Sequence, residues 1–461
     1  MSSPAYKVII VGAGPAGIFA ALELAKSGVT DVLVLEKGHA IAKRKCPARR
    51  TACVECRTCD IMTGWGGAGA FSDGKLTLTT EVGGWLGDFV PRPELETLVD
   101  YADQLWLEFG ATTEVHGPDA ATATELQREA TLAGMKLIPM RIRHLGTERS
   151  PMVLDAMRVY LESVGVTVRT ERAASRIISE NGRVIGIELG NGERLTAESV
   201  IAAPGREGAD WLAEQARELG LGLVNNAVDI GVRVECPAPV MERLTDALYE
   251  AKLVYHTKAF GDTVRTFCMN PHGEVTTESY GDVVTVNGHS YAEAKTGYTN
   301  FAVLVSTRFT EPFRDPLTYG RSIAKLANLL AGGILVQRLA DLKAGRRSTP
   351  ERIAQSLAEP TLAHATPGDL SAVLPYRHLT DIIEFLEAME PLAPGISGPS
   401  TLLYGVEVKF YSSRLEVDAQ MRTHIEGLYA IGDGAGITRG LIQASASGVI
   451  AARSILSGSG G

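Results

Sequence analysis

The chain has 461 residues, with 45 lysines and arginines against 54 aspartates and glutamates and a net charge of −9. That length exceeds what one compact core serves and implies two domains, while the acidic balance argues against a general nucleic-acid or anionic-membrane binder. No stretch approaches about 18 uninterrupted apolar residues and Met1 to Ala5 is too short for a signal peptide, so the expected protein is soluble and cytoplasmic, with no membrane and no nucleic acid among its partners.

Residues Tyr6 to Glu36 read as strand, turn, helix and strand: an apolar run (Val8 to Val11), a G-x-G-x-x-G pattern (Gly12, Gly14, Gly17) completed by Pro15 and Ala16, a helical stretch, and a second apolar run (Val32 to Leu35) ending in Glu36. Glycine at the turn lets backbone N–H groups approach a pyrophosphate, which then sits at the positive end of the helix dipole. Glu36 lies about 20 residues on, where a carboxylate can accept ribose hydroxyls. An ADP moiety is the expected ligand. Lys37, Lys43, Arg44, Lys45, Arg49 and Arg50 follow directly, and at least one is expected at the cofactor phosphates, the others reading as a solvated loop.

Four of the six cysteines fall in the run Cys46-x6-Cys53-x2-Cys56-x2-Cys59. Three thiolates at two-residue gaps, with Cys46 ahead of Pro47 as a fourth, can wrap one metal centre, and a 4Fe-4S iron-sulfur cluster is the first reading. Zinc, which more often takes two separated C-x2-C knuckles, a redox-active dithiol and unligated cysteines are the alternatives. The next segment, GWGGAGAFSDGK, packs Gly64, Gly66, Gly67, Gly69 and Gly74 around Ala68 and lets the backbone lie close against a flat or charged ligand.

Pro93 to Phe109, Thr122 to Ala133 and Ser150 to Gly165 carry apolar residues at helical spacing. From Val166 the pattern turns to strands, with Asn181-Gly182 and Asn191-Gly192 as hairpin signals, giving a small antiparallel meander. An apolar strand, Ser199 to Ala203, then ends at Pro204-Gly205-Arg206 and returns the chain to the first sheet. Residues 226–399 read as an inserted mixed α+β substrate domain. It should contain a strand at Asp229 to Glu235, a turn-rich stretch from Thr263 to Phe301, a strand to Thr307, and helices at Tyr319 to Lys343, Thr349 to Leu357 and Thr380 to Glu390. The flanking parts, 1–225 and 400–461, make the Rossmann-like domain. In the tail, Gly427 to Ile455 reads as a strand, then Gly432-Asp433-Gly434, then a small-residue helix from Gly440 and Leu441. An acid there can bind a ribityl hydroxyl while the helix dipole faces a flavin ring.

These features resemble the two-dinucleotide-binding-domain flavoproteins, the glutathione-reductase-like and para-hydroxybenzoate-hydroxylase-like superfamily, of α/β class. Within it the chain is similar to the family of predicted FAD-dependent dehydrogenases, through GGAGAFSDGKL (Gly66 to Leu76), FCMNPHGEV (from Phe267), TNFAVLVS (Thr299 to Ser306) and the tail AIGDGAGITRGLIQASASG. The resemblance implies FAD, with Gly12, Gly14, Gly17, Glu36 and Arg44 at the ADP half and Gly432, Asp433 and Gly434 at the ribityl half. It also implies adenine against the backbone of Ala173 or Ala174. Lys37, Gly205, Gly440 and Leu441 are expected near the cofactor, and the glycine-rich loop with Gly66, Gly67 and Ala68 is the expected wall beside the isoalloxazine. Similar sequences carry FCMCPGG, whereas Asn270 and His272 stand here, so a dithiol with Cys268 is excluded.

The expected activity is an FAD-dependent oxidoreductase moving a hydride between flavin N5 and a small organic substrate under the inserted domain, with Cys268, His256, Lys295 and Tyr298 as candidates for proton transfer or carboxylate anchoring. Arg265 belongs to the same polar cluster. Only one G-x-G-x-x-G has the right context, so electrons would come from a transiently bound nicotinamide, from the substrate, or through the cysteines from a ferredoxin-like partner. A flavin monooxygenase using NAD(P)H and oxygen, a thiazole-synthase-like or RNA-modifying flavoprotein, and a non-catalytic flavin redox sensor remain as alternatives.

Overall fold

The computed structural model describes residues 5–46, 56, 58–71, 74–224, 226–280, 283–290, 295–309, 315–409 and 413–458. The chain divides into two units: Met1–Val115, Arg141–Asn225 and Ser412–Gly461 form the first, His116–Met140 and Asn226–Tyr411 the second.

The first unit is built on a parallel sheet in the order Thr167–Arg169, Val32–Leu35, Tyr6–Val11, Arg194–Ala202, Leu428–Ala430. Val8 to Val11 and Val32 to Leu35 are buried throughout, as expected of parallel strands covered on both faces. The Arg194–Ala202 strand serves two pairings: its second half joins the parallel sheet, and its first half pairs antiparallel with Arg183–Leu189, which in turn pairs with Ala174–Glu180. The predicted meander is therefore present, and it grows out of the parallel sheet. Helix Pro15–Lys26 packs against the C-terminal helix Leu441–Gly458 at very short range. A Cβ on Gly448 would lie 2.1 Å from the Ala16 carbonyl oxygen. The helix Arg92–Glu108 is tied down by a bidentate pair in which Arg143 donates to both Asp103 oxygens at 2.7 and 2.6 Å.

The second unit centres on an eight-stranded sheet ordered Thr366–Pro367, Leu335–Arg338, Leu402–Lys409, Val228–Pro237, Tyr298–Thr307, Thr263–Asn270, Lys252–His256, Met135–Ile138. Val228, Ile230, Val232 and Val234 point into a core shared with Ile382, Phe385, Leu386 and Met389 of helix Tyr376–Met389 and with Ile323 and Ala327 of helix Pro316–Ala331. The alternate residues Asp229, Arg233 and Glu235 occupy the opposite face. A hairpin, Glu274–Tyr280 with Val283–His289, adds a small cluster in which Val275 and Val286 meet Leu402 and Tyr404.

Several expectations change. Residues 116–140 belong to the second unit because Met135–Ile138 pairs with Lys252–His256 as the edge of its sheet, and that unit runs to 411, past the expected boundary at 399. The helix expected from Tyr319 to Lys343 is Pro316–Ala331 followed by strand Leu335–Arg338 and the short helix Leu339–Lys343. Gly332 stops it with a φ of 64°. The turn-rich stretch from Thr263 holds three strands, and the helix expected at Thr349 to Leu357 shrinks to Pro350–Ile353.

Buried on the helical side, Asp381 has its carboxyl pushed up to about 6, by burial first and by neighbouring Asp262, against the pull of Thr257 and Arg377. A raised carboxyl disfavours the folded state once it ionises, so its penalty grows as pH rises from about 4 and is complete above about 6. Asp381→Asn should accordingly raise the Tm at pH 7.5, with the gain shrinking to nothing by pH 4. Thermal melts across that range check it, and a gain independent of pH would refute it.

Candidate functional site

In the first unit the glycines of the turn do different jobs. Gly12 has a φ of 105°, and a Cβ there would lie 2.1 Å from the Ala203 carbonyl oxygen, while one on Gly17 would lie 2.0 Å from the Gly12 carbonyl oxygen. Gly14 has an ordinary extended conformation, φ −79° and ψ 178°, and a Cβ on it would meet nothing within 4 Å. Gly12 and Gly17 are packing glycines; Gly14 keeps clear the space before the helix. That helix begins at Pro15 with no side-chain cap, so its first N–H groups remain available to an anion.

Glu36 is buried at the end of its strand. Its Oε2 accepts from the Ala13 N–H at 3.0 Å, and its Oε1 from the N–H groups of Gly38 at 2.8 Å and Gly64 at 3.0 Å. A carboxylate has about four acceptor sites, so room for a ribose hydroxyl remains. The three bonds tie the turn to the glycine-rich segment. Gly66 N–H donates to the Ala13 carbonyl at 2.7 Å, and a Cβ on Gly67 would come 3.1 Å from Gly14 Cα. One on Gly69 would fall 2.4 Å from Leu441 Cδ2 and 3.7 Å from Pro15 Cγ. The 3-10 turn Gly67–Phe71, which includes Ala68, thus lies between the starts of the Pro15–Lys26 and Leu441–Gly458 helices.

Arg44 is directed into that segment. Its Nε donates to the Asp60 carbonyl at 2.9 Å, Nη1 to Trp65 at 2.7 Å and Nη2 to Ile61 at 3.1 Å, and the guanidinium lies 4.6 Å from the Phe71 ring centre. These bonds shape the loop, where the sequence suggested a phosphate contact. Lys37 is exposed and pairs with Glu207.

The tail meets the same turn. A Cβ on Gly432 would lie 3.0 Å from Ala16 Cβ, and one on Gly434 would lie 2.4 Å from the Gly205 carbonyl oxygen. Asp433 accepts from Thr438 Oγ1 at 2.8 Å and faces Arg206 at 3.9 Å. Burial raises its carboxyl, opposed by Arg206 and Arg439. Gly205 and Gly440, with φ of 68° and 88°, are open on the Cβ side. Ala174 opens its strand opposite Leu189, and the Ala173 carbonyl accepts from Gly190 N–H at 3.0 Å. Gln443, in the first turn of the last helix, was not read from the sequence. Its Nε2 donates to the Val82 carbonyl at 3.0 Å, and its buried Oε1 has no hydrogen-bond partner among the described residues. Two uncapped or glycine-led helix starts, open glycine faces at 14, 205 and 440, two carboxylates and an unanswered acceptor fit a dinucleotide with a further hydrogen-bonding ring.

Of the expected metal ligands, Cys46 is half-buried and Cys56 and Cys59 are exposed, while Cys53 lies outside the described residues. Among the described residues no group of three or more His, Cys, Asp or Glu side chains is placed to hold a metal ion. The described cysteines alone do not form a cage. No helix among the described residues is long and apolar enough to cross a membrane.

In the second unit His256, Cys268 and Tyr298 fall on three different strands of the sheet, and Lys295 lies in the connection before Tyr298–Thr307. His256 is exposed and faces Thr263 Oγ1 at 3.3 Å; Lys295 is exposed; the Tyr298 hydroxyl accepts from Glu359 N–H at 3.2 Å. Cys268 sits at a bulge with a φ of 41°, unusual for a residue with a side chain. Its carbonyl accepts from Arg233 Nη1 at 3.0 Å and Asn270 Nδ2 at 3.1 Å. Arg233, fully buried, donates to both Glu407 oxygens at 2.8 and 2.9 Å and to Asn300 Oδ1 at 2.8 Å. Lys409 adds a 3.0 Å contact to Glu407, and Arg265 pairs with Asp229. This buried charge is what reasoning from sequence missed.

Residues 5–210 match the family described as FAD binding domain, and residues 227–410 match the one described as FAD-dependent protein, C-terminal domain-like. A protein of Clostridium beijerinckii, described as uncharacterized, is 27% identical over 97% of this chain and 80% of its own length. Among solved structures, the 3-ketosteroid-delta4-(5alpha)-dehydrogenase of Rhodococcus jostii RHA1 is 14% identical over 99% of this chain and 98% of that one, with a TM-score of 0.45. The L-proline dehydrogenase of P. horikoshii is 12% identical over 99% and 94%, with a TM-score of 0.40.

Proposed function

We propose that this two-domain FAD-dependent flavoprotein is an oxidoreductase that moves a hydride between flavin N5 and a small organic substrate. The observation that carries this reading is the meeting, in one unit, of the Gly14 turn with Glu36 and the Gly432-Asp433 turn before the last helix, a split site suited to both halves of FAD. Bound FAD would supply hydride chemistry. The chain's part is to hold, orient and exclude. The start of helix Pro15–Lys26 takes the pyrophosphate charge, Glu36 the adenosine ribose and Asp433 a ribityl hydroxyl, while Gln443 Oε1 awaits a ring N–H. The family matched by residues 227–410, itself described as FAD-dependent, supports the cofactor, and substrate handling falls to the second unit in this reading.

The electron partner is a nicotinamide or a ferredoxin-like protein, and a cluster on Cys46, Cys53, Cys56 and Cys59 would serve the second. Anaerobic mixing of the FAD-loaded protein with NADPH, followed by flavin absorbance, tests the first route: bleaching within seconds is expected. Iron and acid-labile sulfide assays on anaerobically purified protein test the second, and stoichiometric iron with no NADPH bleaching would reassign the donor. Failure of the purified protein to bind FAD at one per chain would overturn the whole reading.

A further inference from the structure

We propose that the polar face of the second unit's sheet binds a small carboxylic acid, its carboxylate held by Lys252 and its body lying along Phe267 towards Asn300. This rests on the oxidoreductase reading only in taking that acid as the substrate.

Lys252 opens the Lys252–His256 strand and is 3% exposed. Its ammonium lies 4.6 Å from the centre of the Phe267 ring, and no described residue gives it a hydrogen bond or an ion pair. An ammonium on a buried residue with no protein acceptor is costly unless water, an anion or loss of its proton relieves it, and the largest charged influence on it is that of Glu250. Three carboxylates of this face have other partners. Asp229 holds Arg265 and accepts from Ser306 Oγ at 2.8 Å; Glu407 holds Arg233 and Lys409; Glu278 accepts from Asn287 at 2.9 Å and faces Lys409 at 3.5 Å. Arg265 and Lys409 each stand 5.8 Å from the same Phe267 ring, so three cations surround one apolar platform. An anion belongs there.

A second buried group points to a ligand independently. Asn300 is fully buried, and its Oδ1 accepts from Arg233 Nη1 at 2.8 Å and Asn270 Nδ2 at 3.3 Å, which fixes the amide's orientation. Its Nδ2 has no acceptor among the described residues. Asn300 pairs with Asn270 in the same ladder where Phe267 pairs with Ala302, so the two features share one face. A carboxylate on Lys252 with an acceptor atom further along the molecule satisfies both. Inorganic anions satisfy only the first, and benzoate adds the ring along Phe267 without the acceptor for Asn300.

The charged and titratable groups around Lys252 are Glu250, Arg265, Cys268 and Asp229, with Lys136 opposite Val254 on the edge strand. Burial, the largest influence, lowers the lysine's pKa. A carboxylate favours the charged form, so binding should draw in a proton at a pH where part of Lys252 is neutral.

The test is calorimetry of the FAD-loaded full chain with benzoate as probe and inorganic phosphate as control, in two buffers of different ionisation enthalpy. Saturable 1:1 benzoate binding with proton uptake is expected, at least tenfold weaker in Lys252→Met without proton uptake, and within about threefold of wild type in Lys252→Arg. Lys252→Met replaces a lone buried charge by an apolar chain, and thermal melts establish that each variant is folded. Phe267→Leu should weaken benzoate without abolishing proton uptake. No benzoate binding, an unchanged dissociation constant in Lys252→Met, or phosphate binding as tight as benzoate overturns the proposal. Because the readout needs no turnover, benzoate binding in a protein whose flavin cannot be reduced would sink the oxidoreductase reading and leave this site standing.

Discussion

Gly14→Ala is expected to leave the apoprotein folded and to weaken FAD binding about 100-fold, whereas Gly12→Ala, two residues earlier, should prevent a stable first unit. The two positions share one motif and differ in what surrounds them. At Gly14 a Cβ meets no protein atom within 4 Å and the backbone is one that any residue adopts. The added methyl can therefore only occupy the space that a pyrophosphate needs, and displacing a charge-assisted contact there by about 2.7 kcal/mol corresponds to the 100-fold loss. At Gly12 the methyl would sit 2.1 Å from the Ala203 carbonyl oxygen at a φ of 105°, so the turn must open between the Tyr6–Val11 and Arg194–Ala202 strands. Quenching of flavin fluorescence measures the first effect, and melting of the apoprotein the second. Full FAD affinity in Gly14→Ala would mean that the pyrophosphate lies elsewhere.

This contrast marks where the sequence stops being legible. G-x-G-x-x-G between two apolar runs announces a nucleotide turn, and the distant Gly432-Asp433 segment turns that into a split FAD site; both signals are local, and local signals survive in a bare sequence. Which glycine is for packing and which is for ligand depends on Ala203, almost two hundred residues away. The strand VDIGVRVEC illustrates the same limit. Its alternation predicts one apolar and one watered face, yet Asp229, Arg233 and Glu235 are as buried as their apolar neighbours. Partners from elsewhere in the chain make that burial tolerable: Glu407 for Arg233, Arg265 and Ser306 for Asp229, and Thr361 and Tyr404 for Glu235. The Met135–Ile138 edge strand was invisible for a related reason: a short run beside a helix declares its unit only through the partner it pairs with.

That buried charge leads to the second large effect. Arg233→Met should destabilise the protein by about 2–4 kcal/mol, because it strips the bidentate partner from a fully buried Glu407 and leaves that carboxylate with Lys409 alone; breaking a buried pair from one side typically costs about 3–5 kcal/mol, and the surviving lysine offsets part. Arg233 first among the charged neighbours, then Lys409, holds the Glu407 carboxyl below its ordinary value against burial. A depressed carboxyl contributes stability above its unfolded pKa and loses it as pH falls, so the wild type should shed this contribution on acidification below about 4.5. Arg233→Met, having lost the interaction already, should show a shallower acid dependence. Urea melts at pH 7.5 and in steps down to about pH 3 measure both. The double variant Arg233→Met with Glu407→Leu should recover most of the loss, since an apolar pair of similar volume needs no counter-charge. Arg233 also holds the Cys268 carbonyl at a bulge whose φ is 41°, so the single variant should additionally change the rate at which a thiol reagent labels Cys268 in the folded protein. A double variant no more stable than Arg233→Met alone would show that the arginine acts through Asn300 and the Cys268 bulge, with Glu407 secondary.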